Sequence, residues 1–246
     1  MATQTLPKTA FDNWRDGIDK AAGDARWDAW DSEIQTAVNE CNQHLSSVSA
    51  GYRPLDWQVI KAMLWVESGP HQPDWNSKPM QIGEPGDPGL ASLLSGKEGG
   101  NLILPPEWKG CLTVRSALTI PAYNIRAGIA YLLMRMANYE YRSVPDTDTK
   151  VYEATVKPGD SLDRIAQTHG STLEVMKKLN PATAILRPGQ VLRYQKASLQ
   201  RVITSWRPLS AAMIADRYNG GGDPGYAKKL DYALSAVRKE KAAGRA

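Results

Sequence analysis

Glu67 ends an apolar run, Val59-Ile60 to Met63-Leu64-Trp65-Val66, and is followed by Ser68-Gly69-Pro70, a combination that stops a helix. A carboxyl group among apolar neighbours keeps its proton to higher pH, because burial disfavours the charged form. A helix C-terminus also carries partial negative charge, so an acid placed there works against stability. Together, residue type and position point to general acid chemistry; a surface residue at a helix end is the structural alternative. The residues that could serve such an acid come in short clusters: Ser68 beside it, then Pro79-Met80-Gln81-Ile82, Asn124-Ile125 with Gly128, and Tyr218-Asn219-Gly220-Gly221. Ser68 and Tyr218 are expected to orient the Glu67 carboxyl, Gln81 and Asn124 to hold polar groups of a ligand together with Asn219, and Met80 to floor the site. Each has a plainer alternative: Met80 as core, Tyr218 as a core tyrosine with a satisfied hydroxyl, Asn219-Gly220 as a turn. Asp74, Glu84 and Asp87 are available as a second carboxylate. His44, His71 and His169 share no metal-ligand spacing, and Cys41 and Cys111 have none either, which leaves two free thiols or one bridge. Neither a metal nor a cofactor is implied.

These residues need elements to position them, and the chain's 246 residues suffice for one large domain or two small ones. With 42% hydrophobic and 23% charged residues and no apolar run near the ~18 that a membrane span requires, no membrane span is expected. The first residues show no basic segment followed by an apolar one, so the expectation is synthesis in the cytoplasm without a Sec signal. The net charge of +4 conceals an asymmetry, since residues 1–50 carry 4 Lys/Arg against 8 Asp/Glu and residues 198–246 carry 9 against 4. A basic end is ordinarily a solvated helix terminus; its functional alternative is attraction to an anionic polymer. No nucleic-acid-binding motif accompanies it, so nucleic acid is not the expected partner. Apolar spacings of three and four predict helix from Phe11 to about Leu45, from Leu55 to Val66, from Tyr123 to Tyr141, and from Leu209 to Arg238 with a break at residues 220–225. The Gly- and Pro-rich stretch 69–113 predicts a long ordered loop with short helices, suited to walling a cleft.

Residues 151–197 have a different texture. Alternation over Val151–Val156, a turn at Lys157-Pro158-Gly159-Asp160, two short helical runs, Asn180-Pro181 and a closing Gly189–Tyr194 strand give the order βααβ, with polar flanks at 143–150 and 196–198 that read as linkers. Tyr152, Val156, Pro158-Gly159-Asp160-Ser161-Leu162, Ile165-Ala166, Asn180-Pro181, Leu186, Pro188-Gly189-Gln190 and Leu192 together resemble a LysM domain over its whole length. The resemblance implies binding of N-acetylglucosamine-containing glycan by two loops, with Gly159, Asp160, Ser161 and Leu162 in one and Asn180, Pro181 and Ile185 in the other. Turn formation and helix capping account for several of the same residue types.

The flanking chain resembles the catalytic domain of lytic transglycosylases and goose-type lysozymes. The resemblance is carried, in order, by Glu67-Ser68, Pro79-Met80-Gln81-Ile82, Asn124-Ile125 with Gly128 and Ala130-Tyr131-Leu132, and Arg217-Tyr218-Asn219-Gly220-Gly221. Lys78-Pro79 and Arg217 depart from the family's pattern. The implied architecture is a mainly α, lysozyme-like α+β catalytic domain over 1–150 and 198–246, with the small βααβ LysM domain of 151–197 inserted. The implied reaction is cleavage of the MurNAc–GlcNAc β-1,4 bond of peptidoglycan, with Glu67 protonating the leaving oxygen and Gln81 and Asn124 holding N-acetyl or hydroxyl groups. The expected outcome is a 1,6-anhydro product. Hydrolysis by a second carboxylate about 6.5 to 9.5 Å from the acid, and an inactive wall-binding protein, are the alternatives. Peptidoglycan strands are the implied partner and the periplasm or cell wall the implied place of action, reached by non-Sec export. An antibacterial effector with a secretion apparatus such as type VI and an immunity protein, a phage endolysin and a wall-remodelling factor all fit.

Overall fold

The computed structural model describes residues 7–21 and 23–243. It is about half helical with two small two-stranded sheets, an α+β composition. The chain divides into two compact units: the described residues up to Asn138 together with those from Ile203 onward, and Tyr139–Val202.

The first unit is helical. Helix α1 (Ala10–Ala21) is followed by a 3-10 turn (Ala25–Asp28) and α2 (Asp31–Val48). The continuous helix expected over 11–45 is therefore broken: Gly23 has φ 89°, and the Asp24 carboxylate caps the new turn by accepting from Arg26 N at 3.0 Å. Helix α3 (Trp57–Glu67) starts at Asp56, whose side chain accepts from Gln58 N, and seven consecutive residues, Val59–Trp65, are buried. A helix buried on every side belongs in the centre. Its one buried charge, Lys61, is met by Asp28 and Asp31, as a buried ammonium requires. The loop that follows holds 3-10 turns at Pro73–Asn76 and Pro106–Trp108 around α4 (Gly89–Ser95), α5 (Gly100–Ile103) and α6 (Val114–Thr119). Helix α7 (Pro121–Met136) opens with proline at its first position, where no N–H is needed, and packs on α2, α4, α5 and α6.

Tyr139 and Tyr141 are not helical: α7 stops at Met136, and strand β1 (Ala137–Pro145) follows. β1 pairs with β4 (Ala197–Trp206), so residues 143–145 and 197–198 of the expected polar linkers are strand. The alternating Tyr139, Tyr141 and the β-branched run Val202-Ile203-Thr204 carry the strand signal that polarity masks. Within the second unit β2 (Val151–Thr155), α8 (Leu162–Thr168), α9 (Leu173–Leu179) and β3 (Val191–Gln195) form the βααβ order, β2 and β3 antiparallel with Tyr152 opposite Tyr194 and Ala154 opposite Leu192. Its own core is Ala154, Val156, Ile165, Ala166, Met176 and Leu192.

The chain closes with α10 (Ala211–Arg217) and α11 (Tyr226–Ala243), and α11 packs on both α3 and α1. Residues of α11 meet the N-terminal part of the chain through polar and cation–aromatic contacts. Lys228 lies 3.8 Å from the Phe11 ring centroid, Tyr232 donates to Asp19 at 2.5 Å and Arg238 pairs with Asp56 at 3.2 Å. Cys41 is buried, Cys111 is exposed, and both thiols are free. No described helix is long and apolar enough to cross a membrane.

Candidate functional site

Glu67 is the last residue of α3, partly buried, and its carboxyl is pushed up from the ordinary carboxylate range to about 7. Burial is the main cause; the negative charge of Asp223 adds to it, and a hydrogen bond from Tyr226 opposes it. A carboxyl of this kind still holds a proton near neutrality and can take one back once it has given it up.

The group that orients Glu67 is Tyr226, whose hydroxyl donates to Oε1 at 2.7 Å. This corrects the expectation for Ser68 and Tyr218. Ser68 Oγ donates to Pro79 O at 2.9 Å, and Tyr218 OH donates to Met80 O at 3.0 Å, so both hold the 79–82 loop instead of the acid. Tyr226 had a legible signal, since Tyr226, Leu230, Ala233 and Val237 form one buried stripe at helical spacing, and a buried tyrosine hydroxyl needs a partner. Which partner it finds, 159 positions away, is a matter of packing. We expect Tyr226→Phe to move the alkaline limb of any Glu67-dependent activity to higher pH, by on the order of one unit. Loss of the donor removes the one influence favouring the ionised form. A rate–pH profile checks this, and a downward displacement would exclude the assignment.

Asn124 is corrected as well. It is fully buried, accepts from Met80 N at 2.9 Å, and donates to Ile82 O at 3.1 Å and Ala117 O at 2.9 Å. Its amide clamps the loop from behind and has no surface to offer a ligand. Met80 is buried too, packed on Gly128, where a Cβ would lie 2.7 Å from the Met80 side chain. The outcome of this scaffolding is Gln81, the one non-glycine residue with positive φ (49°) among the described residues. Such a conformation costs roughly 1 kcal/mol or more, and here it holds the Gln81 side chain at the cleft beside Glu67. Asn219 accepts from Asp223 N at 2.8 Å, which shapes the turn before α11.

Two cavities meet at Glu67 and Gln81. One, of about 280 Å³, is also bounded by Met80, Ile82, Asp87, Tyr131, Tyr218 and Asn219. The other, of about 510 Å³, runs between α1 and the Ser68–Gln72 turn, with Trp27 and Trp65 in its wall. Of the candidate second carboxylates, Asp74 and Glu84 are engaged by Lys78. Asp87 reaches the smaller cavity while accepting from Gly89 N at 2.8 Å. Among the described residues no group of His, Cys, Asp and Glu is arranged to hold a metal.

In the second unit the two expected loops lie at the same end of the β2/β3 sheet, tied by Val156 N donating to Gln190 O and Gly189 N to Val156 O, both at 2.9 Å. Gly159 takes φ 82° in the first loop, Asp160 accepts from Lys157 N at 2.7 Å, and Ser161 caps α8 through Arg164 N. Leu162 packs on the unit's core. Asn180 accepts from Arg193 N and donates to Arg193 O, so its amide fastens the second loop to β3. Gly159, Ser161, Pro181 and Ile185 are exposed, Ile185 at 77%. The second unit is thus a small βααβ arrangement with its own core, presenting two loops from one end of its sheet. Residues 154–194 match the LysM domain, a peptidoglycan-binding module. No curated protein and no solved structure matches the chain.

Proposed function

We propose that the protein cleaves the β-1,4 bond between MurNAc and GlcNAc in peptidoglycan, with Glu67 as the acid and the LysM domain keeping the enzyme on its polymer. The observation that carries this reading is the Glu67 carboxyl, raised to about 7 and set where two cavities meet. A linear glycan laid through both would present a glycosidic oxygen to it. Glu67 gives its proton to the departing GlcNAc oxygen as the bond to MurNAc C1 breaks. The resulting carboxylate takes the proton of the MurNAc C6 hydroxyl while O6 bonds to C1. The product is a 1,6-anhydro sugar, no water is consumed, and Glu67 ends protonated, ready for another turnover. Asp74 and Glu84, held by Lys78, are poorly placed to activate water, which favours the single-acid course over hydrolysis. Asp87, on the cavity wall, is the residue on which a hydrolytic course would rest.

Mass spectrometry of muropeptides released from purified sacculi tests the proposal. The expected products carry anhydro ends, lighter by one water than the hydrolytic ones. Products with only reducing ends would make the protein a hydrolase acting through Asp87. No released muropeptides at all would leave a wall-binding protein without cleavage.

A further inference from the structure

Gly17 lies in the interior of α1, where glycine costs about 0.5–1 kcal/mol relative to alanine. Helix-interior glycines generally have a steric reason, as Gly128 has in the Met80 side chain 2.7 Å from where its Cβ would be. Gly17 has none: its φ is ordinary, and apart from its chain neighbours and its own helix backbone no atom of the described residues lies within 4 Å of a Cβ built there. The space it leaves open is the larger cavity at Glu67, which Gly17 lines with Asn13 and Trp14 on one side and His71 and Gln72 on the other. At about 510 Å³ this cavity falls within the ~300–1,000 Å³ of small-ligand sites.

The Trp14 ring is held in place. It packs against Phe11 at 5.8 Å and Tyr232 at 6.3 Å, with the Lys229 ammonium 5.9 Å from its centroid. A fixed, half-buried indole beside exposed amide and imidazole side chains suits a ligand with one apolar face and a polar rim. In the same wall Trp27 packs edge-on against Trp65, ring centroids 5.1 Å apart, which adds a second aromatic surface to the cavity.

We propose that α1 walls an N-acetylhexosamine subsite on one side of Glu67, with Trp14 as its stacking face and the missing side chain of Gly17 as its clearance. The inference rests on the reading of the cleft as a glycan site. Within that reading it assigns to the N-terminal helix the binding of a sugar beyond the bond that is cut.

All eight tryptophans lie outside the LysM domain, so their indole N–H resonances in the full-length protein report on the first unit alone, whatever the LysM loops bind. In a titration of the 15N-labelled protein with tetra-N-acetylchitotetraose, the Trp14 resonance, identified by its loss in Trp14→Phe, is expected to shift. Gly17→Leu fills the open space and removes a helix-interior glycine, so it is expected to fold with unchanged or raised Tm. It should weaken the titration at least tenfold and raise KM for glycan strands with little change in kcat. An unmoved Trp14 resonance at saturation, or Gly17→Leu binding within twofold of wild type, overturns the subsite. Cleavage of sacculi by the wild-type protein is scored separately. Its absence would remove the proposed reaction while leaving a responding Trp14 as evidence of sugar binding, and its presence with a silent Trp14 would remove the subsite alone.

Discussion

Glu67→Gln is expected to abolish release of muropeptides, lowering the rate by 10² or more, while the far-ultraviolet circular dichroism and sacculus binding stay as in wild type. The amide nearly matches the carboxyl in shape and can still accept from Tyr226, but it has no acidic proton to give, and loss of general acid catalysis alone costs about 10²–10⁴. The same variant has a stability signature that separates a buried functional acid from a surface glutamate. The folded-state pKa of Glu67 is raised, so the folded protein binds that proton more tightly than the unfolded chain does. Its contribution to stability is fully present below the ordinary carboxyl range and is lost as pH rises through about 7. Replacement by Gln removes this loss, so the Tm of Glu67→Gln should exceed that of wild type at pH 8 and converge with it near pH 4. Activity within tenfold of wild type would take the acid role from Glu67. A Tm difference independent of pH would show that its carboxyl is not held above the usual range.

Replacing Thr147–Gln195 with a short Gly-rich turn is expected to weaken sacculus binding by about 10²-fold, while cleavage of short soluble glycans stays within about threefold of wild type. The ends of the removed segment already meet, since Asp146 N donates to Lys196 O at 2.9 Å, and the segment carries its own core. The paired β1 and β4 would then close as a hairpin. A tethered second binding site raises effective concentration by such a factor without touching the chemistry, and Glu67, Gln81 and Tyr226 all lie outside the segment. A sacculus pelleting assay and a soluble-glycan assay read the two halves. If the shortened protein keeps its helical spectrum and fails on soluble fragments, the LysM domain takes part in the cleft, and anchoring is the wrong description of it.

By itself the sequence determined what depends on neighbours along the chain. The LysM unit is legible because its strands, caps and turns are encoded within about forty residues: Pro158-Gly159-Asp160-Ser161 makes a turn and a cap wherever it folds, and alternation over 151–156 fixes which side chains face the core. The place of Glu67 is legible for the same reason, since an apolar run followed by Ser68-Gly69-Pro70 must end a buried helix there. Polarity misled where strands are solvated, as in β1 and β4, because alternation is hard to see when both faces carry polar residues.

Only the tertiary structure decided which polar group meets which. Ser68 and Tyr218 line the cavities at Glu67, but their hydroxyls, like the Asn124 amide, hydrogen-bond the backbone of the 79–82 loop, and it is Tyr226 that donates to Glu67. Residue type restricts a side chain to donating or accepting, and spacing restricts it to a face. The partner is chosen by the packing of α11 on α3 and of α7 behind the loop. The same packing brings α1 to the cleft, and only there does the glycine at position 17 acquire a reason.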